Sequence, residues 1–426
     1  CEQHFNPNLR GRPIGITAEN GRNCVIAASR EAKKTGVKSP TTSWEAKRIC
    51  PEIQFIKADF ERYLEITKKM LQIACRYSPI VELFSLDEVF IDLTPVLHLY
   101  SSGVQPLKGL NPYLQVVENF KKQLRDEIGP TITVSMGLSY NKLLAKLATS
   151  LNKPDGFAMI DNSNKDKILS QIELTDIMGI GERYKRRLNL LGIFTFKELA
   201  EYPMNLLRKE FGNVASQHLK SISMGIDDSP VISYQEDIET KSVGRNYCLP
   251  HNEYNQEQIR KTVYELCEEV AIKLRRLKMK GRTIGLSLHG NESVSERKTI
   301  SRYTSSGKEI FEVCSRFFKK YMHTYIHPRG GNKPTPRGCN PKYVRQVSIW
   351  VGNLIDEQYD TISLFESPRK EVIARLVDQI NDRFGHHTIR TGYLVDAPRL
   401  HTKPNGYLAD RWHRNQLSAL SHESQF

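Results

Sequence analysis

Two adjacent acids between two apolar runs constrain this chain more than any other stretch. Asp87 and Glu88 lie between residues 81–85 and 89–93, which read as two strands. Two ionised carboxylates side by side in an apolar setting repel each other and lose hydration, so they need a compensating cation. Mg²⁺ is suitable because it takes hard oxygen ligands and leaves room for substrate phosphates. The alternative is a turn whose acids point into water.

Length and charge narrow the class of protein. The 426 residues suffice for three or four domains, and 62 Lys and Arg against 48 Asp and Glu give a formal net charge of +14. This balance favours a polyanionic partner, nucleic acid before membrane, although a generically basic soluble protein is the alternative. The eight cysteines include no C-x-x-C pair, which suits a reducing cytosol. No apolar run reaches the roughly 18 residues of a membrane span.

A cationic helix face precedes the acidic stretch. The segment from Ser29 to Lys38 predicts a short helix ended by Gly36, with Arg30 and Lys33 on one face. Near a metal site these cations could hold a triphosphate, and otherwise they form a solvated face. Neighbouring predictions are strands at 13–16 and 24–28, a turn at 19–21 and a helix at 43–49.

The elements around the acids predict a ferredoxin-like sheet. Helical spacing at 59–77 and 112–128 and a strand at 132–138 give the order strand, helix, paired strands, helix, strand. Nucleotidyl-transfer palms commonly use that arrangement. A further helix follows within 137–156, and four leucines form its core face: Leu143, Leu144, Leu147 and Leu151. Three lysines are left to face elsewhere, either for a function or as solvated side chains: Lys142, Lys146 and Lys153, the last before a Pro-Asp-Gly turn that fixes its direction.

Two later regions suggest contacts with a nucleic-acid backbone. Gly179-Ile180-Gly181 opens onto a helix that ends at Gly192, as in a helix-hairpin-helix whose glycines admit a phosphate. An ordinary packing motif is the alternative, although a cationic run follows: Arg183, Lys185, Arg186 and Arg187. After a boundary at 225–239 we predict a helix at 256–277 and strands at 284–288 and 347–351. Six cations crowd the end of that helix, as a DNA-backbone footprint or a solvated face: Lys273, Arg275, Arg276, Lys278, Lys280 and Arg282.

The order of these motifs resembles the Y-family, or translesion, DNA polymerases, closest to the bacterial DNA polymerase IV branch. The likeness covers about residues 1–385 and rests on Ser85–Thr94, Gly137–Gly156, Gly179–Gly181 and Lys241–Gly244. It implies an α+β multi-domain right hand, with a ferredoxin-like palm, small fingers, a helical helix-hairpin-helix thumb and an α/β little finger. The corresponding divisions are fingers 1–60, palm 61–165, thumb 166–230, linker 231–240, little finger 241–355 and C-terminal tail 356–426.

The resemblance also implies roles for single residues. Asp87 would bridge two Mg²⁺ ions, and Glu88 would bind the ion nearer the primer 3′-hydroxyl. Lys153, Arg30 and Lys33 would hold the dNTP, the latter two where the family usually has Tyr and Arg. Contacts with primer–template DNA would come from Gly179, Gly181, Arg183 and Arg282. The implied location is the cytoplasm, with the nucleoid and no membrane.

A short peptide resembles a sliding-clamp ligand. Residues 361–365 are similar to the Gln-Leu-Ser-Leu-Phe peptide of bacterial members, with Thr361 in place of Gln. Leu364 and Phe365 would fill the apolar pocket of the clamp. The alternative is a buried strand end.

The largest departure from the family is at the start of the chain. Members of the family begin with a strand that carries another metal-binding Asp, followed by aromatic residues that exclude ribonucleotides. The segment from Cys1 to Gly11 matches the part of the family sequence that comes just after that strand, and Glu2 lies at the position of a Glu in the family's motif. We therefore expect these 426 residues alone to be inactive or nearly so. The leading hypothesis for the native protein is a low-fidelity, template-directed translesion polymerase. The alternatives are a catalytically inactive relative that binds DNA and the clamp, and a cyclase-like nucleotidyl transferase.

Overall fold

The computed structural model describes residues 1–17, 24–98, 112–236, 239–323, 343–360, 369–385, 387–395, 397 and 400. The chain divides into two compact units, each described by itself below: Cys1–Arg10 with Asp59–Asp237, and Gly11–Ala58 with Ile238–Phe426. Within the described residues, no helix is both long enough and apolar enough to cross a membrane. Several predicted features lie outside these ranges: the turn at 19–21, the peptide at 361–365 and the end of the tail.

The helices and strands follow the chain in this order. The helices are α1 Glu2–Phe5, α2 Arg30–Lys34, α3 Ser43–Ile49, α4 Phe60–Ala74, α5 Pro112–Glu127, α6 Lys142–Leu151, α7 Lys165–Gln171, α8 Glu182–Leu190, α9 Phe196–Glu201, α10 Met204–Phe211, α11 Asn213–Ser223, α12 Gln256–Arg276, α13 Gly307–His323 and α14 Arg369–Phe384. The strands are β1 Ile14–Thr17, β2 Cys24–Ala28, β3 Thr41–Thr42, β4 Gln54–Lys57, β5 Val81–Ser85, β6 Glu88–Ile91, β7 Met136–Leu138, β8 Phe157–Met159, β9 Ser242–Glu253, β10 Met279–Gly290, β11 Ser293–Thr304 and β12 Val344–Asp356.

The predicted palm, in the first unit, has its strands in two separate pairs. Strands β5 and β6 are antiparallel, with Leu83 opposite Val89, and β7 and β8 are parallel. Among the described residues no strand lies hydrogen-bonded between the two pairs, so the expected sheet is divided. The predicted strand at 132–138 is reduced to β7, because the Ile132 N–H bonds back to the Gly129 carbonyl in a turn and makes no strand ladder.

Helix α6 rests directly on β7. A Cβ added at Gly137 would lie 2.2 Å from the Ala145 carbonyl oxygen and 2.6 Å from the Thr149 nitrogen, so only glycine allows this approach. The predicted core face is confirmed for the first three leucines, which are buried together with the thumb core. It is wrong for Leu151, which is 38% exposed: α6 ends at this residue, and the core shared with the thumb does not include it.

The predicted thumb, helices α7 to α11, shares this core with α6, and the chain that leaves it is bound to the palm. The Asn141 side chain donates to the Gly225 carbonyl (2.9 Å), and the Leu143 N–H donates to Asp227 Oδ2 (3.1 Å). Further along, the Tyr234 N–H donates to the Val81 carbonyl at 2.8 Å. The stretch predicted as a polar linker is therefore hydrogen-bonded to α6 and β5 over much of its length.

The second unit contains two sheets. Residues 14–57 form a sheet of order β3-β2-β1-β4, in which β1 is antiparallel to β2 and parallel to β4. The predicted little finger is an antiparallel sheet of order β11-β10-β12-β9, and α12 and α13 pack on one face. Its core confirms the two predicted strands, since the alternate residues of both are buried: Ile284, Leu286, Leu288, Val347, Ile349 and Val351.

Candidate active site

A tight hairpin presents the two predicted catalytic acids. Leu86 and Asp87 form the turn between β5 and β6, and Ser85 pairs with Glu88 across it. The Ser85 hydroxyl donates to Asp87 Oδ1 at 2.7 Å, which orients that carboxylate. Asp87 is exposed, and the Glu88 side chain is 33% exposed. The acids thus stand at the accessible end of a hairpin whose far part is buried at Val81 and Leu83.

Helix α4 fixes the hairpin turn from behind. The Thr67 hydroxyl donates to the Leu86 carbonyl at 2.5 Å. One turn earlier, the Tyr63 hydroxyl donates to Glu2 Oε1 at 2.5 Å, and Glu2 is buried. Burial, together with this bond to Glu2, raises the pKa of Tyr63 well above its usual range. Tyr63 therefore stays protonated and remains a donor, so that α4 ties Glu2 and the acidic turn to one rigid element.

Two lysines of α6 neutralise acids of the hairpin. Lys142 Nζ lies 2.9 Å from Glu82 Oε2, and Lys146 Nζ, one helical turn later, contacts Glu88 Oε1. The Lys142–Glu82 pair is mostly buried, with side chains 11% and 14% exposed, and Glu82 also accepts the Ile232 N–H. Neither lysine is the solvated side chain of the alternative interpretation.

Sequence reasoning missed Glu82. A signal was present, because strand alternation puts Glu82 opposite Phe90, on the same face as Glu88, and that pair of acids matches the spacing of Lys142 and Lys146. Pairing the two elements required knowledge of which face of α6 meets the hairpin, which the sequence does not contain.

The donor set at the hairpin suits a divalent cation with few protein ligands. Mg²⁺ is commonly held by one or two carboxylates together with substrate phosphates, and Asp87 and Glu88 offer that number. Glu88 Oε1 is engaged by Lys146, which leaves Oε2 and the Asp87 carboxylate as the oxygens that fit a metal. Within the described ranges, no group of three or more His, Cys, Asp or Glu side chains is arranged to hold one.

The predicted triphosphate ligands lie in both units. Lys153 is exposed in the loop after α6, where Asp155 has φ +55° and a Cβ on Gly156 would meet the Asn152 carbonyl oxygen at 1.7 Å. Arg30 and Lys33 are exposed on α2, whose first turn is capped by the Ser29 hydroxyl. The structure therefore brings together Asp87, Glu88 and the lysines of α6 in the first unit, and Arg30 with Lys33 in the second.

The thumb hairpin has the predicted glycine turn, and part of its cationic run is engaged. Gly179 has φ +103°, and Gly181 begins α8 with open space where a Cβ would stand. Lys185 pairs with Glu173 at 2.5 Å, and the hydrogen bond raises the pKa of Lys185. Arg187 pairs with Glu210 at 2.8 Å. Arg183 is exposed beside the turn, as is Arg186 one helical turn later, so the open glycine backbone and these arginines are accessible to a ligand.

Three of the six cations at the end of α12 pair with acids of the C-terminal segment. Arg275 donates to both oxygens of Asp378 at 2.6 and 2.8 Å. The remaining pairs join Arg276 to Asp382 at 2.5 Å, and Lys280 to Asp360 at 2.8 Å and Glu371 at 2.6 Å. The charge of these three is paired inside the unit, which favours neither a DNA-backbone footprint nor a solvated face for them, and the footprint stays a prediction. Arg282 lies 5.2 Å from the Tyr303 ring centre.

Comparisons with known proteins connect this chain to a family. Residues 1–150 match the impB/mucB/samB family, and residues 240–364 match the C-terminal domain of that family. The chain is 30% identical over 393 residues to "DNA polymerase IV" of Pelotomaculum thermopropionicum, covering 91% of this chain and 90% of the relative. It is 30% identical over 401 residues to "DNA polymerase IV" of Acetivibrio thermocellus, covering 92% and 93%. A solved chimera of Y-family DNA polymerases shares the fold, with a TM-score of 0.66, 21% identity, and coverage of 83% of this chain and 95% of the chimera.

Proposed function

Because the chain belongs to the impB/mucB/samB family and is a Y-family DNA polymerase, we propose that it extends a primer with low fidelity opposite damaged template bases. The observation that carries this is the adjacent pair Asp87 and Glu88 at the accessible end of a braced hairpin. Two carboxylates presented together have no packing role there, whereas nucleotidyl transfer requires them as metal ligands.

The chain's own residues would prepare the reacting groups. Asp87, held by Ser85, would hold both metal ions, and Glu88 would use Oε2 for the ion nearer the primer hydroxyl. When bound, two Mg²⁺ ions lower the pKa of that hydroxyl and neutralise the phosphates during in-line displacement. Lys146 compensates part of the negative charge of Glu88 while the acids stand close together.

Cations outside the hairpin would hold the dNTP. We assign Lys153 to the triphosphate because its side chain is exposed on a loop of fixed conformation beside α6. We assign Arg30 and Lys33 to the same ligand from the fingers, because they are exposed on one short capped helix. Arg30 can donate two parallel bonds to phosphate oxygens, whereas Lys33 acts as a point charge.

Primer–template DNA would be held through its backbone. Gly179 and Gly181 expose backbone N–H groups at the start of α8, and Arg183 adds a cation next to them. Arg282 would contribute from the little finger. Such contacts read no sequence and weaken as salt rises, which suits an enzyme that must accept any damaged template in the cytoplasm.

Contact with a sliding clamp is a separate proposal, through Leu364 and Phe365. Both residues lie outside the described ranges, so the proposal rests on the likeness of residues 361–365 to a clamp-binding peptide. Clamp pull-down should be lost when both are changed to alanine while the fold is intact. Unchanged pull-down, or no binding by the parent chain, would remove the proposal.

Primer extension tests the proposed activity directly. The protein as its gene encodes it should add the complementary nucleotide in the presence of Mg²⁺, and Asp87→Asn should reduce the rate by about a thousandfold or more, since it removes a metal ligand. Asp92→Asn is the matched control: Asp92 follows β6, and its carboxylate accepts the Thr94 N–H at 2.9 Å. Equal rates for Asp87→Asn and the parent would exclude the assignment.

A second candidate function is an inactive relative that binds DNA and the clamp as an accessory. It is favoured by one observation: at the turn of the hairpin stand two acids, Asp87 and Glu88, and the described residues form no group of three or more acids, histidines or cysteines arranged to hold a metal. On the same ground we propose that these 426 residues, tested alone, extend a primer slowly or not at all. Robust extension by this polypeptide would contradict that proposal, whereas DNA binding without extension by the gene's product would favour the accessory.

A further inference from the structure

Lys121 is a buried lysine that the proposed reaction does not use. It lies on α5 and is 8% exposed, yet its ammonium is fully engaged by one loop. Nζ donates to the Asp155 carbonyl at 2.5 Å and to the Gly156 carbonyl at 3.3 Å, and it lies 3.4 Å from Asp155 Oδ1. Burying a charge is costly unless it is paired and hydrogen-bonded, so these contacts account for its position.

The loop that Lys121 grips is the one that carries Lys153. Asp155 has φ +55°, a conformation that a non-glycine residue keeps only when its surroundings hold it. The Gly156 carbonyl also accepts the Met136 N–H at 3.0 Å, and the Asn152 side chain donates to the Phe157 carbonyl at 2.8 Å. Lys121 is thus the side chain that joins the Asp155 carbonyl and carboxylate to α5, in addition to the backbone bond from β7, while Lys153 is exposed two residues before Asp155.

We propose that Lys121 is a positioning residue: its ammonium holds the Lys-Pro-Asp-Gly turn so that Lys153 meets the triphosphate of the incoming dNTP. The inference rests on the proposed role of Lys153. Lys121 does not contact the nucleotide in this proposal, because its ammonium group is already occupied by three contacts with Asp155 and Gly156. Without these contacts, the carbonyl groups of Asp155 and Gly156 are no longer held together by Lys121, and Lys153 samples positions away from the triphosphate.

Nucleotide binding without turnover separates this role from catalysis. The parent chain is bound to a primer–template with a dideoxy-terminated primer, and dATP with Mg²⁺ is titrated opposite a template thymine. Lys121→Met should raise the Kd for dATP roughly tenfold, which corresponds to about 1.4 kcal/mol, with the Kd for DNA unchanged. Lys121→Arg should recover most of the affinity, because it keeps a charged donor. Lys122→Met is the matched control, since Lys122 is the exposed neighbour on the same helix.

A double-mutant cycle distinguishes positioning of Lys153 from general loosening of the palm. In a Lys153→Ala background, Lys121→Met should cause little further loss, because the residue through which it acts is gone. If Lys121→Met does not fold, Asp155→Asn serves instead: it removes the ion pair, and asparagine tolerates the left-handed backbone.

Three results would count against the inference. An unchanged Kd for dATP in both Lys121→Met and Asp155→Asn would overturn it while leaving the proposed function intact. An equal further loss in the Lys153→Ala background would overturn it as well, because Lys121 would then act independently of Lys153. Absence of any dATP binding by the parent complex would overturn the proposed nucleotide site, and this inference with it.

Discussion

Two lysine- and arginine-rich helix surfaces look alike in sequence and differ in structure. On α6, Lys142 and Lys146 meet acids of a hairpin whose other carboxylate, Asp87, is left exposed. At the end of α12, Arg275 and its neighbours meet acids from the C-terminal segment. Acids pair with cations on both surfaces, but the first also presents Asp87, an exposed carboxylate beside the paired acids. The difference teaches that cation density alone does not predict a phosphate site, because the partners decide which charge remains available.

The largest expected effect concerns the Arg275–Asp378 pair, whose side chains are 9% and 13% exposed. Arg275→Met leaves the Asp378 charge buried without its partner, which should lower the free energy of unfolding by about 3–5 kcal/mol. DNA affinity of the folded variant should stay the same, because this arginine has no free charge to offer. Chemical denaturation and DNA titration measure the two quantities, with Lys308→Met, at an exposed position of α13, as control. A fall in DNA affinity without a change in the free energy of unfolding would show that Arg275 binds DNA, and would contradict the difference drawn between the two surfaces.

A smaller effect at the same helix depends on pH. Burial raises the pKa of Glu268 to about 6, against the ordinary value of 4.5. The folded state then binds more protons than the unfolded state between those values, so the free energy of unfolding should fall as pH rises from about 4.5 to 6 and stay level above. The loss amounts to about 2 kcal/mol, from 1.36 kcal/mol for each pKa unit.

Removing the Glu268 charge tests this directly. Glu268→Gln should flatten that part of the pH profile and stabilise the protein at neutral pH, whereas Glu312→Gln, at an exposed position of α13, should leave the profile unchanged. An identical pH dependence in Glu268→Gln and the parent would show that Glu268 is not the titrating group.

Helix α8 of the predicted thumb allows an accessible cation to be compared with a paired one on the same helix. Arg183 is exposed and Arg187 is paired with Glu210, so only the first should bind a phosphate. Arg183→Ala should lower DNA affinity and reduce the slope of log K against log salt by about 0.9, the contribution of one phosphate contact. Arg187→Ala should leave that slope unchanged. Equal slopes for Arg183→Ala and the parent would remove Arg183 from the interface.

The smallest expected change in stability is at Lys146. Its pair with Glu88 is partly exposed, with side chains 26% and 33% accessible, so Lys146→Met should cost less than about 1 kcal/mol of unfolding free energy. Divalent-cation affinity should rise, because the competing ammonium leaves Glu88 free, and a Mn²⁺ titration measures this. Lys142→Met is the contrasting variant, since its buried pair with Glu82 should cost several times more stability. Weaker Mn²⁺ binding in Lys146→Met would show that the lysine supports the metal site.

Local pattern predicted the elements well and their distant partners poorly. The acidic hairpin, α3, α6 and the little-finger strands follow from runs and periods within a few residues, and the structure confirms them. The partner of Arg275 lies 103 residues further on, and that of Lys142 lies 60 residues back. No local spacing encodes such pairings, because they depend on which helix face meets which strand. The prediction that Leu151 is buried is wrong for a related reason: the helical period predicts which face of α6 is apolar, but not at which residue the core ends.

The arrangement of the proposed site depends on the absence of a side chain at Gly137. Its missing side chain lets the backbone of α6 lie against β7, so a methyl group there would displace a whole helix and not merely a neighbouring side chain. Lys142 and Lys146 would then leave Glu82 and Glu88 together, and the loop with Lys153 would shift with the end of the helix. A single added carbon atom at Gly137, which is distant from Asp87 and Glu88 in the sequence, would thus disturb both the predicted metal ligands and the predicted triphosphate ligand.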